Sequence, residues 1–385
     1  MKTVPINPHY RMGIANSLSA IGQNQWNQLL ERCGEKNPFL SYAFFEALHQ
    51  SGSASAETGW EPHFICIWEN DSLAAACPMY RKYHSYGEYV FDWAWADAYE
   101  RHGHEYYPKL LSAIPFTPVS CSRMLSSSAE TAALLIAVIR QLAGSEALSS
   151  CHILFPPEEQ IPALEAAGFL IRSGVQFHWL NKGYQGFDDF LADLTMKKRK
   201  NIRAERKKVA DAGISFRHVS GRNASESDWL FFKRCYDLTY RAHRSTPYLN
   251  SAFFLQISAS MQEQTHLIIA ERDQLPIAAS LLFHNDSRVF GRYWGCIEPV
   301  SCLHFETAYY QAIEFCIREG FQVFEGGAQG EHKMARGFLP HPTWSAHWLE
   351  QVQFRDAVER FLERETVGVA GYMDELNEHS PYKQR

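Results

Sequence analysis

No C-x-x-C pair, no G-x-S-x-G elbow, no G-x-x-x-x-G-K-[ST] loop and no H-E-x-x-H helix occurs in the 385 residues. Their absence removes, in turn, a thioredoxin-like redox centre, a serine-hydrolase nucleophile, a P-loop and a zincin site. Long apolar runs are missing too. The best, "AALLIAVI" from Ala132, falls far short of the roughly 20 residues that span a bilayer, so no membrane span is expected. Charge of one sign is scarce: the net charge is -6, which excludes a nucleic-acid coat protein and leaves DNA out as a partner. Affinity for a polyanion has to come from a local patch. The nine cysteines stand singly, as expected of reduced thiols rather than a disulfide framework. The N-terminus has prolines and polar residues where a signal peptide needs an apolar core, and a cytoplasmic location is expected. Histidines are plentiful, but the spacings of His332, His341 and His347, and of His102 and His104, match no standard zinc pattern. No metal is expected.

With 46% hydrophobic residues, the chain is long enough for two cored domains. A gapless repeat supports that division. Phe155–Leu180 laid over Phe324–Leu349 agrees at nine of 26 positions, clustered at Gly-Phe-Leu and His-Trp-Leu. Upstream the parallel loosens. "HFICIWENDSLAAACPMY" from His63 and "HLIIAERDQLPIAASLLF" from His266 both read as strand, turn, strand. Each is followed by a third strand ("EYVFDWAWAD", "RVFGRYWGC") and an amphipathic helix. A strand, a helix ending at Gly-Phe and a final strand complete each half. A duplicated α/β domain accounts for this order, with a boundary in "NKGYQG", giving domains 1–183 and 184–385.

The repeat separates scaffold from chemistry. Gly168 and Gly337 close helices in both copies, with Phe169 and Phe338 packing back. His178 and His347, shared in the two His-Trp-Leu endings, read as satisfied strand histidines. The second copy alone carries Glu325, Gly326, Gly327, Glu331, His332, Lys333 and Arg336, opposite Pro156, Pro157, Glu158, Pro162, Ala163, Leu164 and Ala167. Glu325 ends a short strand, and Gly326-Gly327 allows close backbone approach to a ligand. On an α-helix from Glu331, His332 and Arg336 share a face and converge on an anion, with Lys333 beside them. The bland alternative is a turn followed by a solvated helical face.

"KKRKNIRAERKK" from Lys197 places eight cations among twelve residues. It continues the apolar spacing begun at "FDDFLADL", which predicts one amphipathic helix. It is either a solvated face or a phosphate-binding helix for a nucleotide, coenzyme A or tRNA, with Arg199 and Arg203 on one side. Tyr240, Arg241, His243 and Arg244 form a further cluster, either a solvated loop or a substrate contact.

The order strand, helix, "ARGF", strand resembles the closing part of the GCN5-related N-acetyltransferase (GNAT) fold. The basic helix and "FEGGAQGEHKMARGF…SAHWL" resemble the FemAB-like branch of that superfamily, associated with peptidoglycan biosynthesis or recognition. The resemblance covers nearly the whole chain and implies two tandem GNAT-like (acyl-CoA N-acyltransferase fold) domains. It implies acyl or aminoacyl transfer to an amine acceptor, a small molecule or peptide-like, in cell-wall precursor or secondary metabolism. Glu325 or His332 would take the proton. Gly326, Gly327, Gln329, Glu331, Lys333 and Arg336 would bind substrate, and Arg199 and Arg203 the donor's phosphates. The donor is acyl-CoA or aminoacyl-tRNA. "GCIEPVSCLHFETAYY" stands where CoA-dependent members carry a glycine-rich pyrophosphate loop, a departure that favours the tRNA donor. The competing class is a binding module for a peptidoglycan-like or amino-acid-derived ligand, without turnover.

Overall fold

A computed structural model describes residues 3–6, 8–146, 148–327 and 330–383. The chain divides into two compact units, Met1–Val175 with Pro342–Tyr372, and Gln176–His341 with Met373–Arg385.

The first unit contains β1 (Thr3–Pro5), β2 (Tyr10–Ala15), β3 (Trp60–Pro62), β4 (Phe64–Glu69), β5 (Ser72–Cys77), β6 (Tyr80–Lys82), β7 (Lys109–Ser112), β8 (Leu125–Ser126) and β9 (Ser150–Leu154). One sheet runs β1-β2-β4-β5-β8, and β9-β7-β6-β3 are neighbours in a second. Helix Ala129–Ser145 starts at Ser128, whose side chain accepts from the Thr131 amide, an N-cap in the usual sense. Its Leu135, Ile136 and Ile139 recur at three- and four-residue steps and join Ile65, Ile67, Cys151 and Ile153 in one core, which is why the apolar run is a core helix. The segment "EYVFDWAWAD" is not the strand expected of it. It enters a helix at Trp93–Arg101, because Trp95 and Tyr99, four apart, are the residues it buries.

The second unit contains β10 (Leu170–Leu180) from Gln176 onward, β11 (Ile214–Ser220), β12 (Thr265–Arg272), β13 (Leu275–His284), β14 (Arg288–Cys296) and β15 (Val323–Glu325). β11 to β14 form an antiparallel meander. β15 lies parallel to β14, and His178–Leu180 run antiparallel on the far side of β15. In the first unit, Ser345–Leu349 of β16 (Leu339–Leu349) pair with β9. The His-Trp-Leu ending of each half thus completes the sheet of the other unit. A single cut between 183 and 184 therefore does not describe the division of the chain.

The helix predicted from Phe187 onward is two helices, Phe187–Asp193 and Met196–Asp211. Leu194 is extended and bridges to Tyr382, and the Thr195 amide bonds the Pro381 carbonyl. That tertiary pairing interrupts an otherwise continuous helical pattern.

Helix Glu226–Ala242 lies directly on β14 at Gly295, where a Cβ would come 2.1 Å from the Cys235 carbonyl oxygen. Gly295→Ala is therefore expected to cost about 1–3 kcal/mol, as overpacking does. Gly371→Ala, with open space around a helical position, should gain about 0.5–1 kcal/mol. Urea unfolding of the two variants checks the contrast; equal midpoints would count against it.

Candidate functional site

β14 and β15 pair only from Arg288/Val323 to Phe290/Glu325. Beyond that point β14 continues to Cys296 while β15 ends, so the edge of β14 that faced β15 is left without a strand partner among the described residues. The register between β13 and β14 also shifts at this level, with Leu282 opposite Gly291 and Leu281 opposite Tyr293, which leaves Arg292 as the extra residue. A bulge of this kind bends a strand and re-aims its side chains. Gly291 is required because a Cβ there would meet the Phe324 ring at 2.9 Å.

The parting strands open a cleft of about 510 Å³ within the second unit, lined among others by Arg292, Trp294, His304, Tyr309, His332 and Lys333. Thr239 of helix Glu226–Ala242, His243 just past its end and Ser280 of β13 face it. Among the described residues no carboxylate lines it.

Phe324 and Gly326 line the cleft, and strand alternation turns Glu325 to the opposite face. Glu325 and His332 are therefore not brought together. Glu325 is buried, accepts a bond from Arg288 at 3.0 Å, and leaves Oε2 without a hydrogen bond. The His178 Nε2, also without one, lies 4.0 Å from that oxygen. His178 is not the satisfied strand histidine expected of it, whereas His347 is: its ring bonds Ser345 and His152. Burial pushes the Glu325 carboxyl up to about 7 against the pull of Arg288 and Arg292.

The Glu331–Arg336 segment is a 3-10 helix rather than an α-helix. At three residues per turn, side chains three apart eclipse and those four apart diverge. Lys333 and Arg336 accordingly share the buried face, while His332 is exposed. The expected convergence of His332 and Arg336 does not occur. Arg336 is committed to the scaffold. Its Nη2 bonds Glu205 of the basic helix at 2.9 Å, its Nη1 donates to the His332 carbonyl at 2.7 Å, and its guanidinium lies 3.4 Å over the Phe305 ring.

Lys333 packs along Gly326, where a Cβ would come 3.3 Å from its chain, and its Nζ donates to the Gly327 carbonyl at 3.0 Å. Burial first, and then Arg292, bring its ammonium down to about 7. His332 bonds Tyr309 at 3.2 Å; burial, Lys333 and Arg336 lower its pKa. Burial lifts the Tyr309 hydroxyl up to about 12 and lowers His304 to about 4. Glu331 is exposed, and Gln329 lies outside the described residues. Arg199 and Arg203 are on the basic helix and do not line the cleft; Arg203 bonds Asp188 at 3.2 Å. Of the Tyr240–Arg244 cluster, His243 reaches the cleft.

Arg292, Trp294, His304 and Tyr309 carried no recognised sequence signal. Their positions depend on the bulge and on a π-turn at Glu306–Tyr310 inside the helical stretch Leu303–Glu319. The one available clue was the crowding of His304, Tyr309 and Tyr310 just after the third strand of the second copy.

The sequence pattern of the FemAB-like family, described as peptidoglycan biosynthesis/recognition, matches residues 17–384. The chain belongs to the FemAB-like family. This family member has the fold of FemX: 11% identity over 92% of this chain and 99% of FemX, with a TM-score of 0.54. L-PGS from Bacillus licheniformis is similar at 11% identity, covering 88% of this chain and 96% of that one, with a TM-score of 0.52. The fold is accordingly that of FemX, shared over nearly the whole of both chains. No curated protein matches the chain. Among the described residues no group of three or more His, Cys, Asp or Glu is placed to hold a metal ion, and no helix is long and apolar enough to cross a membrane.

The raised Glu325 carboxyl gives a signed prediction. Between its ordinary value near 4.5 and about 7 the folded chain holds a proton that the unfolded chain releases. Stability from this group is complete below pH 4.5 and lost as pH rises through 7. Glu325→Gln, which cannot ionise, should therefore gain about 2 kcal/mol relative to the natural chain between pH 5 and pH 8. Melting curves at both pH values decide; a difference independent of pH means the carboxylate is already charged at pH 5.

Proposed function

We propose that this FemAB-like chain transfers an acyl or aminoacyl group to the amine of a small or peptide-like acceptor in peptidoglycan-precursor synthesis, and that the cleft of the second unit is its reaction site. The observation that carries this reading is the parting of β14 from β15. An unpaired strand edge offers backbone N–H groups to a carbonyl oxygen laid beside it, and such donors stabilise the tetrahedral oxyanion.

The amine nitrogen adds to the carbonyl carbon, and the C–O or C–S bond to the leaving group then breaks. The nitrogen must lose a proton and the leaving group must gain one. His332, with its lowered pKa, is neutral near pH 7 and able to accept the first. Tyr309, bonded to His332, keeps its proton at that pH and is able to supply the second. Lys333 supplies positive charge at the cleft wall. Glu325 faces away from the cleft, so it supports the strand rather than moving the proton.

For the donor, the stretch between β14 and Leu303 has no glycine, and Glu298 within it pairs with Arg272. A coenzyme A pyrophosphate would meet a carboxylate there. The basic helix keeps Lys197, Lys198, Arg199, Lys200 and Lys208 outside any ion pair among the described residues, whereas Arg206 is spent on Glu306 and Glu314. These features support aminoacyl-tRNA, whose phosphates suit such a face.

The test is incubation with aminoacyl-tRNA, acyl-CoA and candidate amines, read by mass spectrometry. His332→Ala should lower turnover by about 10²–10⁴-fold without lowering the melting temperature. Tyr309→Phe should slow transfer from poor leaving groups most. A chain that binds these compounds and transfers nothing is the binding module instead.

A further inference from the structure

Lys333 is 2% exposed, yet it makes no ion pair with any carboxylate, and the Gly327 carbonyl is its one hydrogen-bond partner among the described residues. An ammonium has three donors, and a buried charge without a counter-ion is costly. The cost is avoidable in this fold. The first copy of the repeat has Leu164 at the matching position, fully buried in its core. The second copy has put a cation where the scaffold accepts a leucine, on the wall of a cleft that contains Arg292 and, among the described residues, no carboxylate.

We propose that the cleft takes a substrate bearing a carboxylate or phosphoryl group, and that this group seats on Lys333, on the cleft wall that also contains Arg292, as the counter-ion that the described residues do not supply. This rests on the transfer reading and deepens it by giving the substrate an anionic group near the reacting centre. The charged and titratable groups facing Lys333 are Arg292 from β14, His304 and Tyr309 from the helical stretch, His243 from just past helix Glu226–Ala242, His332 on its own turn and His178 behind it. All are cationic or neutral near pH 7, so none competes with the ligand. An arriving anion stabilises the charged ammonium, and binding above pH 7 therefore takes up a proton.

Calorimetric titration of the full chain with inorganic phosphate and with N-acetylglycine, at pH 6.5 and 8.5 and in two buffers of different ionisation enthalpy, tests this without turnover. Saturable binding of N-acetylglycine, whose carboxylate is ionised at both pH values, is expected to weaken about twentyfold at the higher pH, with close to one proton taken up there. Preference between the two probes separates a phosphoryl group from a carboxylate. Lys333→Met should abolish binding and its proton uptake. It should also raise the melting temperature at pH 6, where it removes a buried charge, so loss of binding will not be confused with unfolding. Arg292→Gln should weaken binding about tenfold or more. No saturable binding of either probe, or binding that ignores pH and survives Lys333→Met, overturns the proposal. Transfer activity in a chain that fails this test would leave the transferase reading standing, and anion binding without transfer would do the reverse.

Discussion

Everything distinctive about the second unit follows from one constraint, that β14 and β15 run together for three residue pairs and then part. A parallel pair needs its slanted hydrogen bonds to stay in step. Here the bulge at Arg292 bends β14 while β15 gives way to Gly326-Gly327. Two glycines on β14 make the bend possible by letting other groups come close: Gly291 admits the Phe324 ring, and Gly295 admits the backbone of helix Glu226–Ala242. The cleft is thus held open by packing on both sides of one strand.

The charges of this unit divide between bracing and recognition. Arg336 ties the 3-10 turn to Glu205, Tyr310 bonds the same carboxylate, and Arg206 ties the basic helix to Glu306 and Glu314. These side chains bring the basic helix, the π-turn and the Glu331–Arg336 turn into one braced group. Arg336 and Glu205 both retain some burial, so loss of either partner leaves an incompletely solvated charge. The cations of the basic helix outside ion pairs among the described residues are fewer than the eight it carries.

The duplication and the α/β class were legible from sequence because identity between copies marks scaffold. Gly168 and Gly337 do take the left-handed conformation, and Phe169 and Phe338 are buried. Three things were not legible. The pairing of each His-Trp-Leu strand depends on long-range contacts that local pattern does not carry. The 3-10 geometry after Gly330 reassigned the faces of the turn, sending Arg336 inward and His332 outward, because a drop from about 3.6 to about 3.0 residues per turn is invisible in so short a segment. Glu325 was placed with His332 by proximity in sequence, but strand alternation sets it on the other side of the sheet.

Leu164 and Lys333 occupy one position of the repeat, and both are buried. Copies of one fold share burial more faithfully than they share residue type, since burial is set by backbone and neighbours. A core leucine in one copy therefore announces that the lysine in the other is desolvated, and desolvation is what lowers an ammonium toward neutrality. Ala163, opposite His332, and Ala167, opposite Arg336, are half-buried or exposed in the first copy, leaving room at those positions for longer side chains. The second copy has a 3-10 turn where the first has the α-helix Ile161–Ala166, a lysine at a core position, and at Ala167's position an arginine that braces Glu205. The lowered ammonium of Lys333 is thus a consequence of the core position that it occupies in the repeat.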